Sequence, residues 1–263
     1  MPATRIAIGL EYDGRPFCGW QSQPTRCGIQ DALESAIGAV AGEAITLNAA
    51  GRTDQGVHAS NQVAHFETTA ARPLSAWVRG VNTQLPAAAA VRWARAVDPE
   101  FHARFSARRR TYHYLLLNRA ERPALLGGRV GWCHRPLALE PMREAAQRLV
   151  GEHDFSSFRS AECQAKSPVK QLDRVSIARD GGLIVCVFTA NAFLHHMVRN
   201  IMGALITVGR GAKPAGWMTE LLAARDRGHG AATFMPDGLY LSGIEYDPRF
   251  SLPDTVSSHP WQS

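Results

Sequence analysis

What this chain of 263 residues lacks narrows it first. No apolar run approaches the roughly 20 residues that span a bilayer as a helix. The opening Met-Pro-Ala-Thr-Arg passes almost at once into strand-like alternation, so no secretory signal is expected. The five cysteines, Cys18, Cys27, Cys133, Cys163 and Cys186, include no C-x-x-C pair, and their number is odd. Neither a zinc finger nor a disulfide framework is therefore expected, and the thiols read as the reduced cysteines of a cytoplasmic protein. There is no G-x-S-x-G elbow, no Ser-His-Asp order, no G-x-x-x-x-G-K-[ST] phosphate cradle and no dinucleotide fingerprint. Those gaps argue against a reaction driven by ATP or NAD. Charge of one sign is also scarce: 29 Lys and Arg against 23 Asp and Glu leave +6. Such a surplus permits a polyanionic partner without requiring one.

What is present is an ordinary globular balance, 45% hydrophobic and 20% charged. The length suits one large domain or two small ones, each able to bury a core. Arg5–Tyr12 alternates Ile6, Ile8 and Leu10 against smaller or polar residues, as a half-buried strand does. Ile29–Val40 sets Ile29, Leu33, Ala36 and Ile37 on one helical face. Short strands at Ile45–Asn48, Asn61–Glu67 and Ala90–Val97 and a helix opened by Pro73 complete a first half. The order then repeats: a strand at Arg110–Asn118, a helix at Pro141–Val150, a hairpin of Val175–Arg179 and Leu183–Ala190 turning at Asp180-Gly181-Gly182, helices at Leu194–Val208 and Pro214–Arg225, and a strand at Leu239–Tyr246. The expected fold is α+β, with two similar lobes, each a mainly antiparallel sheet with helices on one face, and the sheets adjoining around a central cleft. The lobes are expected at 1–107 and 108–248, followed by a poorly ordered tail at 249–263.

The chemistry concentrates in Gly51-Arg52-Thr53-Asp54-Gln55-Gly56-Val57-His58-Ala59. It is a polar loop with two glycines between two strand-like runs, the kind of place where catalytic groups sit on a rigid scaffold. Asp54 suits a nucleophile or a general base, and equally a side chain capping its own turn. A metal held by Asp54 and His58 lacks a convincing third ligand.

This loop closely resembles the catalytic loop of the tRNA pseudouridine synthase A family. The likeness continues through Glu11-Tyr12-Asp13-Gly14, Gly19-Trp20-Gln21, Phe101–Ala107, Asp154–Phe158, Ala190–Asn200 and Gly238–Leu241, in order across nearly the whole chain. Gln55 fills a variable slot, and Lys170 stands where an Arg was expected, keeping the charge but losing a bidentate fork.

The resemblance implies an isomerase that turns uridine into pseudouridine at positions 38 to 40 of the tRNA anticodon arm, with no cofactor and no metal. It assigns Asp54 as the reacting carboxylate, leaving open whether C6 or C1′ is attacked, and Arg199 as its ion-pair partner. Arg52 would fill the gap left by a flipped base, Tyr112 would stack on that base and could pass a proton, and Leu241 would wall the pocket. Tyr112 also reads as a sheet aromatic, Leu241 as plain core and Arg199 as a surface helix charge. Phe101, His102, Ala103, Arg104 and Phe105, with Arg110 and the run Glu162, Cys163, Gln164, Ala165 and Lys166, would contact substrate. Arg104, Arg108, Arg109 and Arg110 interleave with Phe101, Phe105 and Tyr112, a mixture that favours nucleic acid over a merely solvated face. tRNA and a second copy of the chain are the implied partners, in the cytoplasm and away from membranes. A non-catalytic tRNA-binding protein and a carboxylate-dependent nucleoside hydrolase are the rival readings.

Overall fold

In the computed structural model, which describes residues 3–253, the chain runs β1 (Thr4–Tyr12), α1 (Ile29–Ala41), β2 (Asn48–Ala49), β3 (His58–Thr68), α2 (Val81–Gln84), β4 (Ala89–Ala96), β5 (Arg109–Asn118), β6 (Gly131–Cys133), α3 (Leu139–Gln147), β7 (Gly151–Asp154), β8 (Val169–Asp180), β9 (Leu183–Ala190), α4 (Met197–Gly209), α5 (Trp217–Ala224) and β10 (Leu239–Glu245). This is an α+β chain in two compact units. One unit ends at Arg109 and takes up the chain again from Tyr240, and the other is Arg110–Leu239. No helix among the described residues is long and apolar enough to cross a membrane.

In the first unit β1 lies between β3 and β4, antiparallel to both, and β2 pairs antiparallel with β3. β1 is buried on both faces rather than half-buried, because its small residues receive large neighbours. A Cβ on Gly9 would meet the Trp93 indole, so glycine is what lets that ring approach the strand. β10 joins β3 in parallel, Tyr240 opposite His58 and Leu241 opposite Ala59. α1 starts with the Asp31 carboxylate accepting the Gly28 N–H at 3.0 Å and stops at Gly42, whose φ of 76° suits glycine. Its apolar face of Ile29, Leu33, Ala36 and Ile37 is buried. A π-helical turn, Ala76–Gly80, leads into α2 and sets Trp77 edge-on to Phe66, ring centroids 5.3 Å apart.

Cys18 and Cys27 form a disulfide, with Cα atoms 5.4 Å apart. This corrects the expectation of reduced thiols for these two. The Cys18 N–H bonds the Cys27 carbonyl at 2.9 Å, so the chain doubles back between β1 and α1 and brings the sulfurs together. Cys133, Cys163 and Cys186 are free and buried.

In the second unit β5, β9, β8 and β7 form an antiparallel ladder, and β6 adds to β5 in parallel. α4 is almost wholly buried and packs on α3. It begins three residues later than the apolar pattern suggests, because His196 takes a left-handed φ of 62° and cannot continue a helix. Pro248–Phe250 form a 3-10 turn that lays Phe250 against Phe101, 5.1 Å between centroids. The remainder of the expected tail, residues 254–263, lies outside the described residues.

Candidate functional site

Asp54 sits half-buried on the loop between β2 and β3. The loop is held at every turn by main-chain bonds. Ala50 N–H donates to Val63 C=O at 2.8 Å, Trp20 N–H to Thr53 C=O at 2.9 Å, and Val57 N–H to Asp54 C=O at 3.1 Å. The last of these closes a turn through Gly56, whose φ of 80° only glycine adopts cheaply. Gly19 carries a φ of 95°, and a Cβ there would press on Thr53 O, so the disulfide-bridged segment meets the loop backbone directly. Arg52 and Gln55 face solvent, while Thr53 and Val57 are buried.

His58 is buried at the head of β3. Its Nδ1 accepts the Gly14 N–H at 3.1 Å, and its ring stacks on Tyr240 at 4.6 Å. An Asp13 oxygen lies 3.3 Å from the same nitrogen. His58 thus ties the Asp13-Gly14 turn to the end of the loop. A Cβ on Gly14 would meet the Val57 carbonyl, so that turn must be glycine.

The segment after β4 divides into buried and facing halves. Phe101 and Ala103 are fully buried, Phe101 among His65, Tyr246 and Phe250. Their side chains shape the segment, while Arg104 and Phe105 are exposed and His102 is half-buried. Phe105 is 77% exposed, its ring 4.3 Å from that of His102, with the Arg104 guanidinium 5.7 Å from the ring centroid. This is an exposed π-cation platform of the kind on which bases stack. Underneath, His65 Nδ1 accepts the Ala103 N–H at 3.1 Å, and burial, with the nearby His102 and Arg5, holds the His65 pKa down to about 4. Of the arginine run, Arg108 pairs with Asp247 and Arg109 with Glu245, so part of its charge is met within the unit. Leu241 is fully buried on β10.

The second unit carries the other candidates. Tyr112 on β5 is 9% exposed and meets Phe193 edge-on at 5.0 Å. Arg110 donates from Nη1 to Asn191 C=O at 2.8 Å. Arg199, in the first turn of α4, donates from Nε to the Phe234 carbonyl at 2.9 Å, and Phe234 N–H returns a bond to the Arg199 carbonyl at 3.2 Å. That reciprocal clasp fixes the side chain's direction. A Cβ on Gly203 would strike the Ala232 carbonyl, so glycine lets this strap lie on the helix. In the run 162–166, Glu162, Gln164 and Lys166 are exposed, Ala165 is half-buried and Cys163 is buried. Arg159, which sequence reasoning missed, donates to the Cys163 and Ala165 carbonyls and shapes this loop. Burial pushes the Cys163 thiol up, but N–H groups of Ala165 and His195 and the Arg159 guanidinium outweigh it and hold the pKa below the usual thiol value.

A half-buried carboxylate on a pinned polar loop and an exposed arginine–aromatic platform, both in the first unit, are features of an enzyme that works on a polyanion. The sequence profile of the tRNA pseudouridine synthase family matches residues 9–106 and 145–247. The tRNA pseudouridine synthase A of Thiobacillus denitrificans is 60% identical over 257 residues, covering 98% of this chain and 99% of the relative. That of Chromobacterium violaceum is 59% identical, covering 95% of each, and that of Dechloromonas aromatica 57%, again covering 95% of each. The chain belongs to the tRNA pseudouridine synthase family and is an isomerase.

Proposed function

We propose that this chain converts uridines 38, 39 and 40 of the tRNA anticodon arm to pseudouridine, with Asp54 as the reacting carboxylate. The N1–C1′ bond breaks, the uracil turns, and C5 bonds to C1′. C5 gives up its hydrogen as a proton, and N1 gains one. Atoms and electrons balance within the nucleotide, so the reaction consumes no co-substrate. The observation that carries this reading is the loop itself: a half-buried Asp54 on a backbone pinned at Ala50, Thr53 and Asp54, inside a chain that matches the family along most of its length.

The other roles are those the family resemblance implies, and charge and shape say why these residue types suit them. A carboxylate in a closed pocket is pushed toward its neutral form, and a guanidinium beside it reverses this by about 1–3 pH units. Arg199 is assigned that task. The target base must leave its stack to be reached, and the exposed Arg52 takes the vacated place. Tyr112 stacks on the flipped uracil, and Leu241 backs the pocket wall. The Phe101–Phe105 segment, Arg110 and the 162–166 loop track the RNA, which is read by backbone and shape. The enzyme works in the cytoplasm as a homodimer that handles one tRNA across both subunits.

Mapping pseudouridine in tRNA from cells with and without this protein tests the reading. Loss at 38–40 alone is expected. Unchanged modification at all three would contradict it, and free uracil with an abasic site on incubation with tRNA would mean hydrolysis instead.

A further inference from the structure

One buried side-chain chain, not used by the chemistry above, grips the loop on both sides of Arg52. Gln62, in the middle of β3, is fully buried. Its Nε2 donates to the Gly51 carbonyl at 2.6 Å and to the Tyr12 hydroxyl at 3.3 Å. Tyr12 ends β1 just past a register shift and is buried too. Its hydroxyl lies 2.9 Å from Thr53 Oγ1.

Both Nε2 hydrogens of Gln62 are used, one of them by the Tyr12 oxygen, and the Tyr12 and Thr53 hydroxyls share one hydrogen bond in which either can donate. Burial raises the Tyr12 pKa, so the phenol stays protonated. Gln62 Oε1, also buried, has no hydrogen-bond partner. An apolar residue of the same size would fill the space without that cost, but it would hold neither Gly51 nor Tyr12. Thr53 is then clamped twice, through its side chain by Tyr12 and through its carbonyl by Trp20 N–H at 2.9 Å.

We propose that Tyr12 and Gln62 are positioning residues for pseudouridine formation: through Thr53 and Gly51 they fix the peptide units flanking Arg52, and so the directions in which Arg52 and Asp54 leave the loop. This rests on the assignment of Asp54 as the reacting carboxylate. Misplacing a reacting group by an ångström costs about 100-fold in rate, so loosening this grip is felt in chemistry more than in binding.

Tyr12→Phe keeps the ring against Trp20 and deletes only the hydroxyl. Thr53→Val deletes the other end of the same bond, and Thr53→Ser preserves it. At saturating tRNA, the single-turnover rate should fall about 10- to 100-fold in Tyr12→Phe and in Thr53→Val, with the tRNA Kd changed less than about threefold and the melting temperature nearly kept. Thr53→Ser should stay near the wild-type rate. The double variant should be no slower than the slower single one, because both changes cut one bond. A wild-type rate in Tyr12→Phe, multiplied losses in the double variant, or a loss confined to Kd would overturn the proposal. Asp54→Ala, assayed beside them, separates the two levels. If it still forms pseudouridine, the underlying assignment fails; if it is inactive while Tyr12→Phe and Thr53→Val are not impaired, only the positioning role fails.

Discussion

The two units hold their key charged groups by opposite means. Asp54 stands on a loop, and the backbone around it is fastened by the side chains of Tyr12 and Gln62 on β1 and β3 and by the backbone N–H groups of Trp20 and Val57. Arg199 stands on a helix whose backbone is already rigid, and its Nε donates to the Phe234 carbonyl of the strap that lies on that helix. The first arrangement depends on hydrogen bonds, and their loss is expected to move the carboxylate proposed to react without unfolding the unit. The second depends on packing, where a change as small as one methyl disturbs the whole unit.

That contrast can be broken from either side. Arg199→Met removes the cation assigned to Asp54, and the acid limb of the activity profile should move up by about 1–3 pH units. An unchanged profile in a folded variant would contradict the pairing. The next effect is on stability. His65 is buried neutral with its pKa held down to about 4, whereas the unfolded chain takes up that proton near about 6.5. Between those values the unfolded state binds more protons, so stability falls as the pH is lowered through the window, by ~3 kcal/mol at pH 4. Denaturant melts across that range should show the slope in the wild type and lose it in His65→Leu.

Gly203→Ala should cost roughly 1–3 kcal/mol, because the added Cβ meets the Ala232 carbonyl, and thermal melting reads it. It should lower activity only in proportion to the folded fraction unless the strap shifts Phe234. The smallest effect is expected at the surface. Binding should weaken by about 0.7–0.9 log units per phosphate contact for each tenfold rise in salt, and Arg104→Ala should lessen that slope by about one contact. A salt-independent affinity would contradict a basic RNA surface.

Much of this was legible in the sequence, and the remainder has a common physical reason. The Gly51–Ala59 loop stood out because polar residues and glycines interrupt two apolar runs. Of the long elements, β1 and α1 followed from periodicity, β5 from its richness in Tyr and Leu, and β9 from the Asp180-Gly181-Gly182 turn before it. Missed were β6 and β7, three and four residues long, too short to show a period, and the first half of β8, whose Val169–Arg174 is polar or exposed along much of its length. The Tyr12–Gln62–Thr53 chain joins residues 41 and 50 positions apart, and β10 finds its place beside β3 nearly two hundred residues away in the chain. The Cys18–Cys27 bridge depends on a reversal of the backbone, not on a cysteine motif. Local pattern carries none of these. The Phe101–Phe105 segment shows the same limit, since only tertiary packing decides that Phe101 is core and Phe105 is surface.

The measurement that bears most directly on the central claim is the single-turnover rate of Asp54→Asn on tRNA, an isosteric change that keeps the loop and deletes the negative charge. The rate should drop on the order of 10⁴-fold while the tRNA Kd stays within a few-fold. A folded Asp54→Asn enzyme that forms pseudouridine at a rate close to the wild type would contradict the account.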